Sequence, residues 1–269
     1  MGLESLFGKP RVLIGMVHLG PLPGSPRWGG SLDQVIAAAV EDAHALAEGG
    51  LDGLVVENFG DTPFYGDHVP AETIAAMALA VVSVRAATPF PIGVNVLRND
   101  ARAALGLCAA TGAHFVRVNV HVGASATDQG VIQGQAAATL RERSRLWAGA
   151  PDRAPLLFAD VDVKHARPLG ESDLALLAED TYTRGGADAL LVTGSGTGKE
   201  ASFDDVLRVR DAVPDAPVLV ASGVNERTVA RAMHEAHGAI VGTWLKRDGR
   251  VDQPVDPARV RALVAASRG

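Results

Sequence analysis

The chain has 269 residues, 47% hydrophobic and 21% charged, with a formal net charge of −6 at pH 7. This balance fits a globular protein with a sizeable core, and with Lys and Arg scattered it excludes the basic footprint of a nucleic-acid binder. One cysteine, Cys108, excludes an internal disulfide, and no apolar run approaches the ~20 residues of a membrane span.

Short β-branched runs alternate with Ala-rich amphipathic runs from end to end. Strands are predicted over 12–18, 53–58, 92–97, 115–121, 156–164, 189–194, 218–223 and 239–243. Helices are predicted over 32–48, 71–87, 100–111, 136–147, 172–184, 203–212, 226–235 and 257–267. Ser31, Pro70 and Asp256-Pro257 are start signals, and Gly50-Leu-Asp52, Gly112-Ala-His114 and Gly186-Ala-Asp188 close helices before the next strand. Eight strand–helix units without a composition break predict a single (β/α)8 barrel over residues 1–269; a doubly wound open sheet is the alternative. Cys108 falls in an apolar helical run and reads as a buried structural thiol. The start Met-Gly-Leu-Glu-Ser lacks a basic lead into an apolar core, so a cytoplasmic location is expected. The outward helix faces read as normally amphipathic. Two stretches exceed what barrel turns need, 20–30 and 122–135, and both follow strands at the end where barrels place lids and ligand walls.

Strand alternation sorts the polar residues. Asp160, Asp162 and Lys164 share one face of the fifth strand, while Ala159, Val161 and Val163 share the other. Applied to every strand, the rule turns inward Ile14, Met16 and His18; Val55 and Glu57; Asn95; Arg117, Asn119 and His121; Leu191, Thr193 and Ser195; and Val220 and Ser222. The upper layer is polar, as a barrel active site requires. Each member also has a structural reading. Arg117 and Asp160 form a buried pair, Asn95 and Asn119 satisfy one another, and His18 anchors a loop. Glu57 is harder to explain by packing and is the stronger functional candidate. Lys164 is the sharpest, as acid/base, imine former or anion clamp; carboxylates beside it should hold its pKa up and favour the protonated role. Divalent metal binding through Glu57, Asp160, Asp162 and His18 is the weaker reading, since no ligand spacing supports it. No cofactor is required by these residues.

Ser222-Gly223 after the seventh strand and Gly242-Thr243 after the eighth predict a phosphate grip, because glycine lets backbone N–H groups approach an anion closely. Thr193-Gly-Ser-Gly-Thr-Gly-Lys199 adds hydroxyls and a cation but lacks the spacing of a nucleotide-hydrolysing loop.

The segments beginning at Gly15 (Gly-Met-Val-His-Leu-Gly-Pro-Leu-Pro-Gly), Val56 (Val-Glu-Asn-Phe-Gly-Asp), Gly93 (Gly-Val-Asn-Val-Leu-Arg-Asn-Asp) and Ala159 (Ala-Asp-Val-Asp-Val-Lys-His-Ala), with Thr127-Asp-Gln-Gly130, Val192-Thr-Gly-Ser195 and Ile240-Val-Gly-Thr243, together resemble the BtpA/SgcQ family. The resemblance runs nearly the whole chain. It implies a TIM-type barrel related to phosphate-binding barrels and, in photosynthetic organisms, an association with photosystem I biogenesis. Members in non-photosynthetic bacteria mean that label does not describe a common chemistry. The family pattern often has His where this chain has Asp162, and a bulkier residue at Gly20.

Two functions compete. One is an isomerase or lyase acting on a phosphorylated small metabolite: Ser222, Gly223, Gly242 and Thr243 hold phosphate, Glu57 and Lys164 exchange protons, and His18, Asn95 and Asn119 orient the substrate. Asp160, Asp162, Thr193 and Ser195 complete that candidate site. The other is a non-catalytic assembly factor for a membrane complex, which predicts an exposed apolar patch. A homo-oligomer is expected by analogy with other barrels.

Overall fold

The computed structural model describes residues 2–170, 173–194, 196 and 200–268. The strands in chain order are β1 (Val12–His18), β2 (Gly53–Glu57), β3 (Ile92–Asn95), β4 (Phe115–Val118), β5 (Ala124–Thr127) and β6 (Gly130–Gln133). They continue as β7 (Leu156–Val161), β8 (Ala166–Pro168), β9 (Ala189–Val192), β10 (Val218–Val220) and β11 (Gly238–Val241). Eight of them, β1, β2, β3, β4, β7, β9, β10 and β11, close in that order into a parallel barrel. The helices are α1 (Leu3–Phe7), α2 (Leu32–Glu48), α3 (Ala71–Ala87), α4 (Ala101–Thr111) and α5 (Ala136–Leu146), then α6 (Leu174–Glu179), α7 (Phe203–Ala212), α8 (Val229–Glu235) and α9 (Pro257–Ala266). The closed barrel is the predicted fold; the open sheet is excluded.

Local chemistry explains the register. Ser31 accepts the Gln34 N–H at the start of α2, and Gly112 closes α4 in the left-handed region that costs glycine least. The residue two after each closing glycine then reaches sideways. Asp52 accepts the Leu13 N–H at 2.8 Å, His114 the Ile92 N–H at 3.1 Å, and Asp188 the Leu157 N–H at 2.7 Å. Each pins the start of the neighbouring strand. The repeated Gly-x-Asp/His is therefore a stagger device as well as a helix stop.

Apolar side chains form two layers. Val12, Ile14, Met16, Val55, Phe158, Leu191, Leu219 and Ile240 fill the barrel, with Phe115 stacked on Phe158 at 4.6 Å. Leu3 of α1, with Leu6 and Phe7 against it, plugs the bottom. The alternate strand residues, including Val17, Val56, Val94 and Val192, face the helices. Val220 belongs to this outer layer rather than pointing inward as predicted; Leu219 and Ala221 take the interior places.

Several strands end earlier than predicted, because the upper polar residues lie where the ladder stops. The stretch 122–135 is not a bare loop. Its hairpin of β5 and β6 joins β8 as a three-stranded antiparallel sheet beside the barrel mouth. The outer face of α3 is more apolar than expected: Leu79 and Val82, one turn apart, are 54% and 51% exposed. Among the described residues no helix is long and apolar enough to cross a membrane.

Candidate active site

Over the carboxyl ends of β1, β2, β10 and β11 lies a cavity of about 170 Å³. One wall carries His18, Glu57, Arg117 and Lys164; the other carries Ser222, Gly223, Gly242, Thr243 and Trp244. The walls come from strands remote in sequence, joined only by barrel closure.

The floor is a buried hydrogen-bonded network. Arg117 donates from Nε and Nη2 to the two Asp160 oxygens, each at 2.9 Å, and Asn119 Nδ2 donates to Asp160 Oδ2 at 2.9 Å. Asn95 Nδ2 donates in turn to Asn119 Oδ1 at 3.2 Å, while its own Oδ1 is buried without a partner. The bidentate geometry satisfies both charges. The structural reading of Arg117 and Asp160 therefore holds. Asn95 and Asn119 extend this network rather than line the cavity.

Above the floor, Glu57 Oε1 stands 3.7 Å from His18 Nε2, and His18 Nδ1 is buried without a partner. His18 therefore does not anchor a loop through that nitrogen; its ring packs on Phe59 at 4.8 Å. Burial pushes the Glu57 carboxyl above its ordinary value, against the pull of Lys164 and Arg117. Burial, helped by Lys246 and Lys164, drives His18 well below its own. Burial thus works against charge on both members of the pair.

Lys164 reverses one expectation. Burial, with Arg117 and Arg98, lowers its pKa, outweighing the upward pull of Glu57 and Asp160. Burial is the largest cause, and Asp160 is itself paired with Arg117. Nor is Lys164 the third rung of a strand. The β7 ladder ends at Val161, Asp162 takes a positive φ of 56°, and the chain turns before Lys164. The turn leaves Asp162 exposed, beside Thr193 in a neighbouring cavity of about 640 Å³ that Lys164 and Glu200 also line. Thr193 Oγ1 accepts the Lys164 N–H at 3.0 Å.

The opposite wall is lined by backbone amides and hydroxyls. Gly223 adopts φ +68°, which a side chain would strain, and a Cβ at Gly242 would stand 2.9 Å from His18 Cε1. The N–H groups of Gly223, Val224 and Thr243 donate to no acceptor among the described residues. Ser222 is buried and its hydroxyl donates weakly to the Gly196 carbonyl at 3.3 Å. Free amides, two hydroxyls and absent side chains make a concave donor surface.

Residues 9–269 match the family model described as BtpA family. A relative from Synechocystis sp., named Photosystem I biogenesis protein BtpA, is 43% identical over 99% of this chain and 91% of its own length. The chain belongs to the BtpA family. An uncharacterized protein of Pyrococcus furiosus is also 43% identical, over 97% of both chains, and an uncharacterized mitochondrial protein of Caenorhabditis elegans is 33% identical over 96% of this one and 94% of its own. Among solved structures, N-(5'-phosphoribosyl)anthranilate isomerase from Pyrococcus furiosus superposes with a TM-score of 0.57 at 12% identity, over 96% of this chain and 98% of that one. Tryptophan synthase from M. tuberculosis superposes with a TM-score of 0.58 at 18% identity, over 99% and 96%. These two share the fold.

Not every predicted residue of this BtpA-family barrel joins the cavity. His121 turns away and bonds the Gly185 carbonyl at 2.8 Å, because the chain has left β4 three residues earlier. Ser195 lies outside the described residues. The four candidate metal ligands do not share one cavity: Asp160 is engaged by Arg117 and Asn119, and Asp162 does not line the cavity that holds His18 and Glu57. Among the described residues no group of three or more His, Cys, Asp or Glu is placed to hold a metal ion. Three contributors were missed. Arg98 is buried with its Nε unpartnered and donates from Nη2 to the Lys164 carbonyl at 2.5 Å. Glu200 lines the cavity mouth and accepts from Asn225 Nδ2 at 2.9 Å. All three follow strand ends, where alternation gives no direction and the neighbouring residues are themselves polar.

Proposed function

We propose that this BtpA-family barrel is an enzyme that binds a phosphorylated small metabolite, such as a sugar phosphate, and transforms it by acid/base chemistry of the isomerase or lyase type. One observation carries the reading: a single cavity joins unpaired amides and two hydroxyls on one wall to Glu57, His18 and Lys164 on the other. Ser222, Gly223, Gly242 and Thr243 take the phosphate, and Glu57 with Lys164 moves protons at the reacting carbon. His18 orients the substrate, and the Arg117–Asp160–Asn119–Asn95 network fixes the floor. The neighbour named for a phosphoribosyl substrate is consistent with this reading. The test measures the melting temperature with inorganic phosphate and with sugar phosphates, then turnover of those that bind. A phosphate-dependent rise that Ser222→Ala diminishes, with turnover lost in Lys164→Ala, is expected. Unchanged turnover in Lys164→Ala removes Lys164 from the mechanism.

A second reading, an assembly factor, draws on the Synechocystis relative's name and on the exposed Leu79 and Val82 of α3. It expects Leu79→Lys/Val82→Lys to abolish function in the cell while leaving ligand binding intact.

A further inference from the structure

Lys164 presents an amine without a counter-ion to a cavity that also holds a buried carboxyl group. Among the described residues no carboxylate forms an ion pair with it: Asp160 is held by Arg117 at 2.9 Å, and Glu57 faces His18 at 3.7 Å. Its main chain is fixed on both sides. The N–H donates to Thr193 Oγ1 at 3.0 Å, and the carbonyl accepts from Arg98 Nη2 at 2.5 Å. A lysine with a clamped backbone and a free head is arranged to offer its nitrogen to a ligand rather than to close a salt bridge.

We infer that Lys164 is a covalent catalyst whose amine condenses with the carbonyl carbon of a phosphorylated aldehyde or ketone held by Ser222, Gly223, Gly242 and Thr243. The inference rests on the phosphorylated-metabolite reading and names the substrate class within it. The step balances using groups of this cavity. The neutral amine attacks the carbonyl carbon and a C–N bond forms. The carbonyl oxygen leaves as water, taking one proton from the amine and one from the Glu57 carboxylic acid. The products are a protonated iminium on Lys164 and a Glu57 carboxylate beside it. The iminium withdraws electrons from the adjacent carbon, so either a C–H or a C–C bond there is broken heterolytically, its electron pair passing to the iminium nitrogen. Glu57 carboxylate or neutral His18 accepts the proton, from the carbon itself when C–H breaks and from the hydroxyl of the departing carbon, which leaves as a carbonyl, when C–C breaks. Isomerase and lyase outcomes then share one intermediate.

Two further facts agree. Burial lowers the pKa of Lys164, toward the free amine, and raises that of Glu57, toward the protonated acid.

The experiment treats the full chain with dihydroxyacetone phosphate, glyceraldehyde 3-phosphate or pyridoxal phosphate in the presence of borohydride, with and without excess inorganic phosphate. Intact mass and peptide mapping follow. One reduced adduct on Lys164, suppressed by inorganic phosphate, is expected. Lys164→Arg, which keeps the charge and the backbone clamp, should abolish the adduct yet retain the phosphate-induced rise in melting temperature. Glu57→Gln should slow adduct formation at pH 7 by about tenfold or more. Compounds that raise the melting temperature but leave no adduct on Lys164 would overturn the covalent role while the phosphorylated-metabolite reading stands. Labelling spread equally over Lys9 and Lys164 and insensitive to phosphate would also overturn it. If neither inorganic phosphate nor any of the three compounds binds, both readings fall together.

Discussion

Asp160→Asn tests whether the floor of the cavity is a closed structural unit. The Asp160 and Arg117 side chains are 0% and 2% exposed, so solvent cannot replace what the substitution removes. Asp160 accepts three N–H bonds of 2.9 Å, two from Arg117 and one from Asn119. An amide keeps one acceptor oxygen and turns an NH2 toward a donor, while the Arg117 charge loses its partner. Breaking a buried pair from one side costs about 3–5 kcal/mol. At about 2–4 °C per kcal/mol for a chain of this size, the melting temperature should fall by roughly 6–20 °C. Differential scanning calorimetry on Asp160→Asn, with Arg117→Met/Asp160→Leu beside it, makes the measurement. The double variant should cost less than the single one, because it removes both charges and fills the space. A single-variant loss below about 1 kcal/mol, of the size seen for exposed pairs, would refute the closed floor. Asp160 would then be free to hold the Lys164 ammonium, and the unpaired amine would lose its main geometric support.

The pH dependence of stability has a defined sign. The folded-state pKa of His18 is depressed, so its contribution is present above the ordinary histidine value of about 6.5 and is lost as pH falls through the folded value. Urea unfolding between pH 5 and 8 should therefore show stability falling on the acid side, and His18→Gln should flatten that slope. Glu57 is raised, so its contribution is present below the ordinary carboxylate value and is lost as pH rises through the folded one. Glu57→Gln should accordingly be more stable than wild type at pH 8, relative to the same comparison at pH 4. Lys246, paired with buried Asp42 whose other oxygen accepts the Val255 N–H at 2.6 Å, should cost about 3–5 kcal/mol when replaced by Met, measured by chemical denaturation. Gly242→Ala places a Cβ against His18 Cε1 at 2.9 Å and should weaken inorganic phosphate binding in titration calorimetry more than it lowers the melting temperature.

The barrel was legible because periodicity is densest where packing dictates it. Residues such as Ile14, Met16, Val55 and Leu191 alternate in strict register and fill the interior as predicted. The upper polar ring was legible only up to the last paired residue of each strand. Glu57 ends β2 and Asn95 ends β3, and both point inward. Val220 failed because the short β10, three residues long, offers little alternation to fix its phase. His121 failed because a positional rule was carried three residues past the end of β4. Arg98, Asn225 and Glu200 lie on connections whose course no periodicity encodes. The direction of the Lys164 pKa shift differs from expectation because burial, its largest cause, is not visible in the sequence. The sequence displays every carboxylate near it but not which are already occupied.

Occupancy divides the polar cup in two. Below, each charge has its partner: Arg117 with Asp160, bridged through Asn119 to Asn95. Such a network rigidifies a barrel mouth. Above it, His18 Nδ1 and the amides of Gly223 and Thr243 lack acceptors or donors, and Lys164 has no ion-pair partner among the described residues. Of these only His18 Nδ1 is a buried atom without a partner, at a cost of about 1–3 kcal/mol that a ligand satisfying it recovers on binding. Reactive groups set on a satisfied floor are held in place without being neutralised. The apparent ladder of Asp160, Asp162 and Lys164 is the clearest case: one residue belongs to the floor, one turns out to solvent, and only Lys164 remains to face a substrate.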